Sequence, residues 1–267
     1  MTSTTEPSVD AWLAAASHSR RRLADMVEPM TVEELSGPSY DTEWSVAQVL
    51  SHLGSGAEIF LLFLEAGLGG EPAPGMAEFQ PVWDRWNAKS AEDQAADALV
   101  ADRDLLDRIE RMDDGERRGW GLTMFGSDQR LADLLRLRLG EHALHTWDVA
   151  VTQDPSAPVA PDAVELLIDI LGPLVARAGG TSEPPIRLAI ATADPDRRFV
   201  LTADGEGATL SPGDESTFPG DDRALRLPAE ALIRLVYGRL DPLHTPQVEV
   251  EVEDGDLDAV RALFPGF

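Results

Sequence analysis

Apolar residues recur every three or four positions over residues 9–30, where Trp12, Leu13, Ala16, Leu23, Met26, Val27 and Met30 form one stripe. That spacing predicts an amphipathic helix, with Pro29 near its end. After a loop at Gly37-Pro38, Ser45 offers an N-cap for a second helix over 46–66, apolar around most of its circumference. Its Ile59-Phe-Leu-Leu-Phe-Leu64 run belongs deep in a core, and the glycines and prolines of 67–74 break it. A third helical region over 77–112 divides at Ser90, which can cap the piece carrying Leu105, Leu106 and Ile109; Asp113-Asp-Gly ends it. Residues 119–126 read as loop, and Ser127 or Asp128 can cap a fourth long helix that ends near Thr152. Four long helices with short connections predict an antiparallel bundle, in which side chains from different helices can converge on one site.

The pattern then changes. Gln153-Asp-Pro-Ser-Ala-Pro158 marks a boundary, Pro161 stands in the first turn of a further helix over 162–178, and Gly179-Gly180 stops it. From Pro184 onward the period moves toward two: residues 186–191, 199–203 and 208–211 read as strands, 228–239 as a helix, 248–252 as an alternating strand and 256–264 as a closing helix. The expected fold is α+β but mainly α: a helical bundle over 1–153, a linker and connecting helix over 154–183, and a smaller α+β domain over 184–267. There is no internal repeat. Residues 67–75 are glycine-rich but lack the Lys-Ser/Thr and the preceding strand of a phosphate loop.

The fourth helix carries the candidate chemistry. At about 100° per residue, Arg138, Glu141, His145 and Asp148 fall in one narrow stripe. Glu141 and His145, at i and i+4, are neighbours on a helix surface and offer a carboxylate oxygen and an imidazole nitrogen, donors that suit zinc and other divalent first-row metals. On a polar face such a pair is ordinarily just solvated. Here Leu134, Leu135, Leu137, Leu144 and Val149 surround it, and a buried polar group is costly unless paired or metal-bound. A third donor has to come from another helix. The histidines are at 18, 52, 142, 145 and 244, and His52, set among Val46, Val49, Leu50 and Leu53 on the second helix, is the best candidate. His142 points about 100° away from Glu141 and reads as a helix-face histidine rather than a ligand. Arg138 has two readings, a clamp for a substrate carboxylate or a counter-charge for Glu141 and Asp148. Asp148, one turn past His145, can orient that imidazole or serve only in pairing and capping. Arg239, after a helix-ending glycine, can bind an anionic substrate or remain a surface arginine.

Composition narrows the partners. A length of 267 residues favours two domains, and a hydrophobic fraction of 43% is enough for full cores. A formal charge of −26 and a pI of 4.3 repel phosphate backbones and anionic membrane surfaces, so neither nucleic acid nor membrane is an expected partner. With no cysteine there can be no disulfide and no Cys-ligated metal, and thiol chemistry would need a thiol from outside. The first residues lack the charged and apolar regions of a signal peptide, and no uninterrupted apolar run reaches the roughly 18 residues of a span, which leads to the expectation of a cytoplasmic protein.

Three stretches carry a family resemblance: Trp44-Ser45 followed by Leu50-Ser-His52-Leu, the run Arg138-x-x-Glu141-x-x-x-His145-x-Trp147-Asp148, and Leu235-Val-Tyr-Gly238-Arg239 followed by Asp254-Gly-Asp. Over nearly its whole length the chain resembles the mycothiol-dependent maleylpyruvate isomerase family. The resemblance implies a DinB-like four-helix N-terminal domain, a sterol-carrier-like α+β C-terminal domain, and a divalent metal, usually zinc, held by the residues matching His52, Glu141 and His145. It also implies mycothiol as the external thiol and a small electrophilic substrate, an anionic one included; Arg138, Asp148 and Arg239, read from their positions above, are the candidate catalytic residues. A three-ligand site keeps an open position, and a thiol entering it is deprotonated. The thiolate would then add to a conjugated double bond, allow rotation and leave, or stay on the product as in a transferase. Two other classes remain open: a hydrolase in which the metal activates water, with Asp148 or Glu58 as base, and a carrier that has lost its chemistry.

Overall fold

The structure is a computed structural model that describes residues 6–41, 43–124, 126–214, 224–246, 250–253 and 257–266. The chain forms two compact units, Met1–Asp154 and Pro155–Phe267.

In the first unit, Ser8 opens α1 (Val9–Val27) by accepting the amide of Ala11 at 3.2 Å. The expected helix stops short of Met30 because Pro29 has no amide to continue the ladder. A short α2 (Val32–Ser36) follows, its start fixed by reciprocal bonds between Thr31 and Glu34. Ser45 and Gln48 form the same capping box at the start of α3 (Val46–Gly69). Gly70, at φ 68°, ends that helix in the left-handed region. The divided third region becomes α4 (Met76–Asn87) and α5 (Ala91–Glu110), the latter capped by Ser90. Asp113 does more than end α5: it accepts the amides of Gly115 and Glu116 and so opens α6 (Asp114–Gly119). The stretch expected as loop contains β1 (Gly121–Met124), which pairs antiparallel with β2 (Ser127–Arg130). Asp128 accepts the hydroxyl of Thr123 across this hairpin at 2.6 Å instead of capping a helix. The fourth long helix, α7 (Leu131–Gln153), therefore starts later, with the Asp133 carboxylate accepting the Arg130 amide.

The long helices form a ring in which α3 lies against α5 and α7, and α1 against the same two. Leu23, Leu50, Leu53, Leu64, Leu105, Leu134 and Leu139 fill its centre. Two glycines of α3 admit indoles: a Cβ on Gly54 would stand 2.2 Å from the Trp86 ring, and one on Gly67 2.4 Å from Trp120. Glycine inside a helix costs about 1 kcal/mol relative to alanine, whereas burying an indole contributes about 4 kcal/mol by area; packing wins. Trp120 also donates its Nε1–H to the Leu64 carbonyl at 2.9 Å. By length and composition α3 alone among the described helices could cross a membrane, but most of it is buried as the core helix of the bundle.

In the second unit the helix expected over 162–178 is interrupted: α8 (Pro161–Leu167), a 3₁₀ turn Ile168–Ile170, and α9 (Leu171–Ala178). α9 packs on the sheet so closely that a Cβ on Gly172 would lie 2.9 Å from the Leu210 carbonyl oxygen. Apart from Asp154, the segment 154–183, read as linker and connecting helix, falls within the second unit. The sheet comprises β3 (Ile186–Ala193), β4 (Arg197–Asp204), β5 (Gly207–Pro212), β6 (Ala224–Pro228) and β7 (Glu251–Glu253), in the order β5-β4-β3-β6-β7. All neighbours are antiparallel except β3 and β6. The sequence pattern missed β6, whose five residues run straight into α10 (Ala229–Val236) through Pro228. Leu188, Ile190, Phe199, Leu201, Leu225 and Leu227 share one buried sheet face, and α10 packs on β3 and β6. Residues 248–249 of the expected strand and residue 256 of the expected closing helix lie outside the described residues; α11 (Leu257–Arg261) closes the unit.

Candidate functional site

Two bundle helices bring the expected donors together. α3 carries His52 and α7 carries Glu141 and His145, and one ligand atom from each of the three lies within 4.8 Å of the others. His52 Nε2 is 3.2 Å from Glu141 Oε2, and His145 Nε2 is 3.8 Å from the same oxygen. The imidazoles meet edge to face, with centroids 4.7 Å apart. The side chains of His52 and Glu141 are 39% and 48% exposed and that of His145 is 16% exposed, so the cluster opens to one side of the bundle.

Each member is held. His145 Nδ1 faces Asp148 Oδ2 at 2.8 Å, and Asp148 is 1% exposed. A buried carboxylate accepting from Nδ1–H keeps the proton there and leaves the Nε2 lone pair turned toward Glu141. Of the two readings of Asp148, orientation of the imidazole is the one its geometry matches. Burial pushes the Glu141 carboxyl up, but the His52 hydrogen bond and then the charges of His145, His52 and Arg138 outweigh it and hold its pKa at about 2. Glu141 is therefore an anion at neutral pH, as a ligand must be.

Behind the cluster lies a buried polar network. The Arg138 guanidinium is bonded to Asp102 of α5 and donates to the Leu53 carbonyl of α3 at 2.9 Å. The structure thus corrects the reading of Arg138 as a substrate clamp: its side chain is buried inside the bundle and acts on Glu141 only through its charge. It does not pair with Asp148 either, because Asp102 takes the guanidinium. His142 is likewise no ligand. Its Nε2 bonds to Asp102 Oδ2 at 2.9 Å and its Nδ1 lies 2.9 Å from Ser19 Oγ on α1. Ser19, His142 and Asp102 have the connectivity of a hydrolytic triad, but all three are buried to 2% exposure or less, so no substrate reaches the serine. Burial raises the Asp102 carboxyl, and the charges of Arg138 and His142 with their hydrogen bonds more than reverse this, leaving its pKa at about 2.

The pattern of residue types missed Asp102, Ser19 and Trp44. Asp102 had a signal: it interrupts the apolar stripe Ala95, Ala98, Leu105, Ile109 of α5, where an acid requires a buried partner. Trp44, just before the α3 cap, stacks on His145 with ring centroids 6.4 Å apart and lies 5.5 Å from His52. Glu58, a candidate base, is occupied by Arg85 and by the Trp86 indole N–H at 2.8 Å. Arg239 belongs to the second unit, where it donates to the Tyr237 carbonyl at 3.0 Å.

The first unit is a helical bundle carrying a two-helix His–Glu–His cluster, and a smaller sheet unit follows it in the chain. The family model described as the mycothiol maleylpyruvate isomerase N-terminal domain matches residues 16–150, and the chain belongs to that family. Two crystal structures share the fold over 95% of this chain and 97% of theirs, with a TM-score of 0.67 and 12% identity. One is of the mycothiol-dependent maleylpyruvate isomerase and the other of a mutant of it with a histidine changed to alanine. No curated protein matches the chain.

Proposed function

We propose that this protein is a divalent-metal-dependent enzyme that uses mycothiol to isomerise a small electrophile such as maleylpyruvate, or to transfer the thiol to one. The observation that carries the reading is the convergence of His52 with Glu141 and His145 on the open side of the bundle, in a family named for mycothiol. The donors fit a metal by their chemistry: two neutral-capable imidazoles and an ionised carboxylate, one imidazole oriented by a buried acid. His52, Glu141 and His145 would hold it. Bound there, zinc or another divalent ion supplies acidity that yields a thiolate at neutral pH.

The chain's own residues do the rest. Asp148 holds the His145 proton at Nδ1 and aims Nε2, and Arg138 helps keep Glu141 ionised from behind. Because the chain has no cysteine, the nucleophilic sulfur comes from outside, which supports a soluble thiol as co-reactant. Addition of that thiol to a conjugated cis double bond, rotation about the resulting single bond and expulsion of the thiol return the trans isomer and unchanged mycothiol. If the adduct is released first, the result is S-transfer. A reducing compartment, where a free thiol persists, makes the cytoplasm the place of action.

The hydrolytic alternative finds less support, since Asp148 is turned to His145 and Glu58 is held by Arg85 and Trp86. Assay of the metal-loaded protein with maleylpyruvate, with and without mycothiol, tests the reading: turnover should require both thiol and metal. Hydrolysis of an ester or amide panel without thiol would replace it.

A further inference from the structure

Four tryptophans, Trp12, Trp86, Trp120 and Trp147, are no more than 3% exposed and Trp83 is half-buried, whereas Trp44 keeps 38% of its surface open. Its indole lies nearly parallel to the His145 ring, at 14°, and tilted on that of His52, so it forms a third wall beside the two imidazoles. The backbone holds it there. Trp44 donates to the Asp41 carbonyl at 2.9 Å and accepts from the Ser39 amide at 2.8 Å, while Pro38 bridges to Ser45. The same loop is tied to α7: the Tyr40 amide donates to the carbonyl of Asp148 at 3.2 Å, and the Tyr40 ring packs edge-on against Trp147, centroids 4.8 Å apart. The residue that holds His145 thus also anchors the loop that presents Trp44. An indole fixed by its backbone, yet left more open than the other five, offers an apolar face for something else to cover.

We propose that Trp44 is a substrate-binding residue whose exposed face stacks on the flat, conjugated segment of the electrophile and favours it over a saturated chain. This rests on the reading of the cluster as the reaction centre. The indole face is electron-rich, and an electron-poor, carboxylate-conjugated π-system lies flat on it with full contact. A saturated chain of the same length is puckered and meets the ring through fewer atoms.

Sorbate and hexanoate make the comparison, since both are six-carbon monocarboxylates and differ only in two conjugated double bonds. Their affinities for the full-length protein are measured by equilibrium dialysis, and the Trp44 contribution to fluorescence is taken as wild type minus Trp44→Phe. Sorbate should bind roughly 3- to 10-fold tighter than hexanoate, the range of an aromatic stacking preference, and should quench the Trp44 emission saturably. In Trp44→Ala the ratio should fall to near one, and in Trp44→Phe part of it should survive. Equal affinities in the wild type, a ratio preserved in Trp44→Ala, or no saturable binding of sorbate would each overturn the proposal. A parallel Co2+ titration of wild type and Trp44→Phe, read by cobalt absorption, separates the two levels. Failure of cobalt to bind would count against the reaction-centre reading, while the carboxylate ratios would still decide the role of Trp44.

Discussion

Asp148, 1% exposed, holds His145 Nδ1 at 2.8 Å and leaves that ring only its Nε2 to turn toward Glu141. The strength of the site should therefore depend on a residue that touches no ligand position. In Asp148→Asn the shape is kept and the charge lost, and zinc affinity measured by chelator competition should drop about 10- to 100-fold, with little change in the circular dichroism spectrum. Unaltered affinity would reduce Asp148 to a capping residue.

Arg138 and Asp102 are a buried pair that links α7, α5 and the Leu53 carbonyl of α3. Removing one partner strands a charge: Asp102→Ala should destabilise the bundle by about 3–5 kcal/mol, while a double replacement by apolar residues of similar volume, Asp102→Leu with Arg138→Met, should recover most of that. Urea unfolding followed by tryptophan emission measures both. A double variant as unstable as the single would show that the loss is one of packing.

The same pair sets an acid limit. The Asp102 carboxyl is lowered from 3.8 to about 2 in the folded protein, so its contribution is fully present above pH 4 and is lost as pH falls toward 2. Stability should decline with acid across that window, and the decline should be shallower in Asp102→Asn, which has no proton to take up there. An identical slope in the two proteins would assign the acid sensitivity to other carboxylates.

Much of this was legible in residue spacing, and the reasons differ by element. The i, i+4 pair Glu141/His145 and the capped helix bearing His52 are local patterns, and so are Ser45, Ser90 and the helices they open. What spacing could not give were partners made by tertiary contact. Asp128 looks like a helix cap until Thr123 claims it across the hairpin. Arg138 points along the same stripe as Glu141, but Asp102, 36 residues earlier, draws it inside. β6 is too short to show a period and owes its strand conformation to β3, to which it is parallel.

Metal occupancy separates the three histidines of the bundle core region. The purified protein should hold about one divalent ion per chain, and His52→Ala or His145→Ala should lose most of it, because each removes one of the three converging donors. His142→Ala should keep its metal despite a loss of stability, since His142 serves Asp102 and Ser19 instead. Elemental analysis reads all four proteins, and full occupancy in His52→Ala would dismantle the site.

Titration of mycothiol into the cobalt-substituted protein shows whether an external thiol reaches the His52, Glu141 and His145 cluster. Sulfur replacing water near cobalt changes its absorption spectrum strongly, and a ligand that binds only the native state must raise its melting temperature. The expected result is a saturable spectral change with one mycothiol per cobalt, absent in His52→Ala, accompanied by thermal stabilisation. A cobalt-loaded protein whose spectrum and melting temperature stay unchanged in excess mycothiol would contradict it.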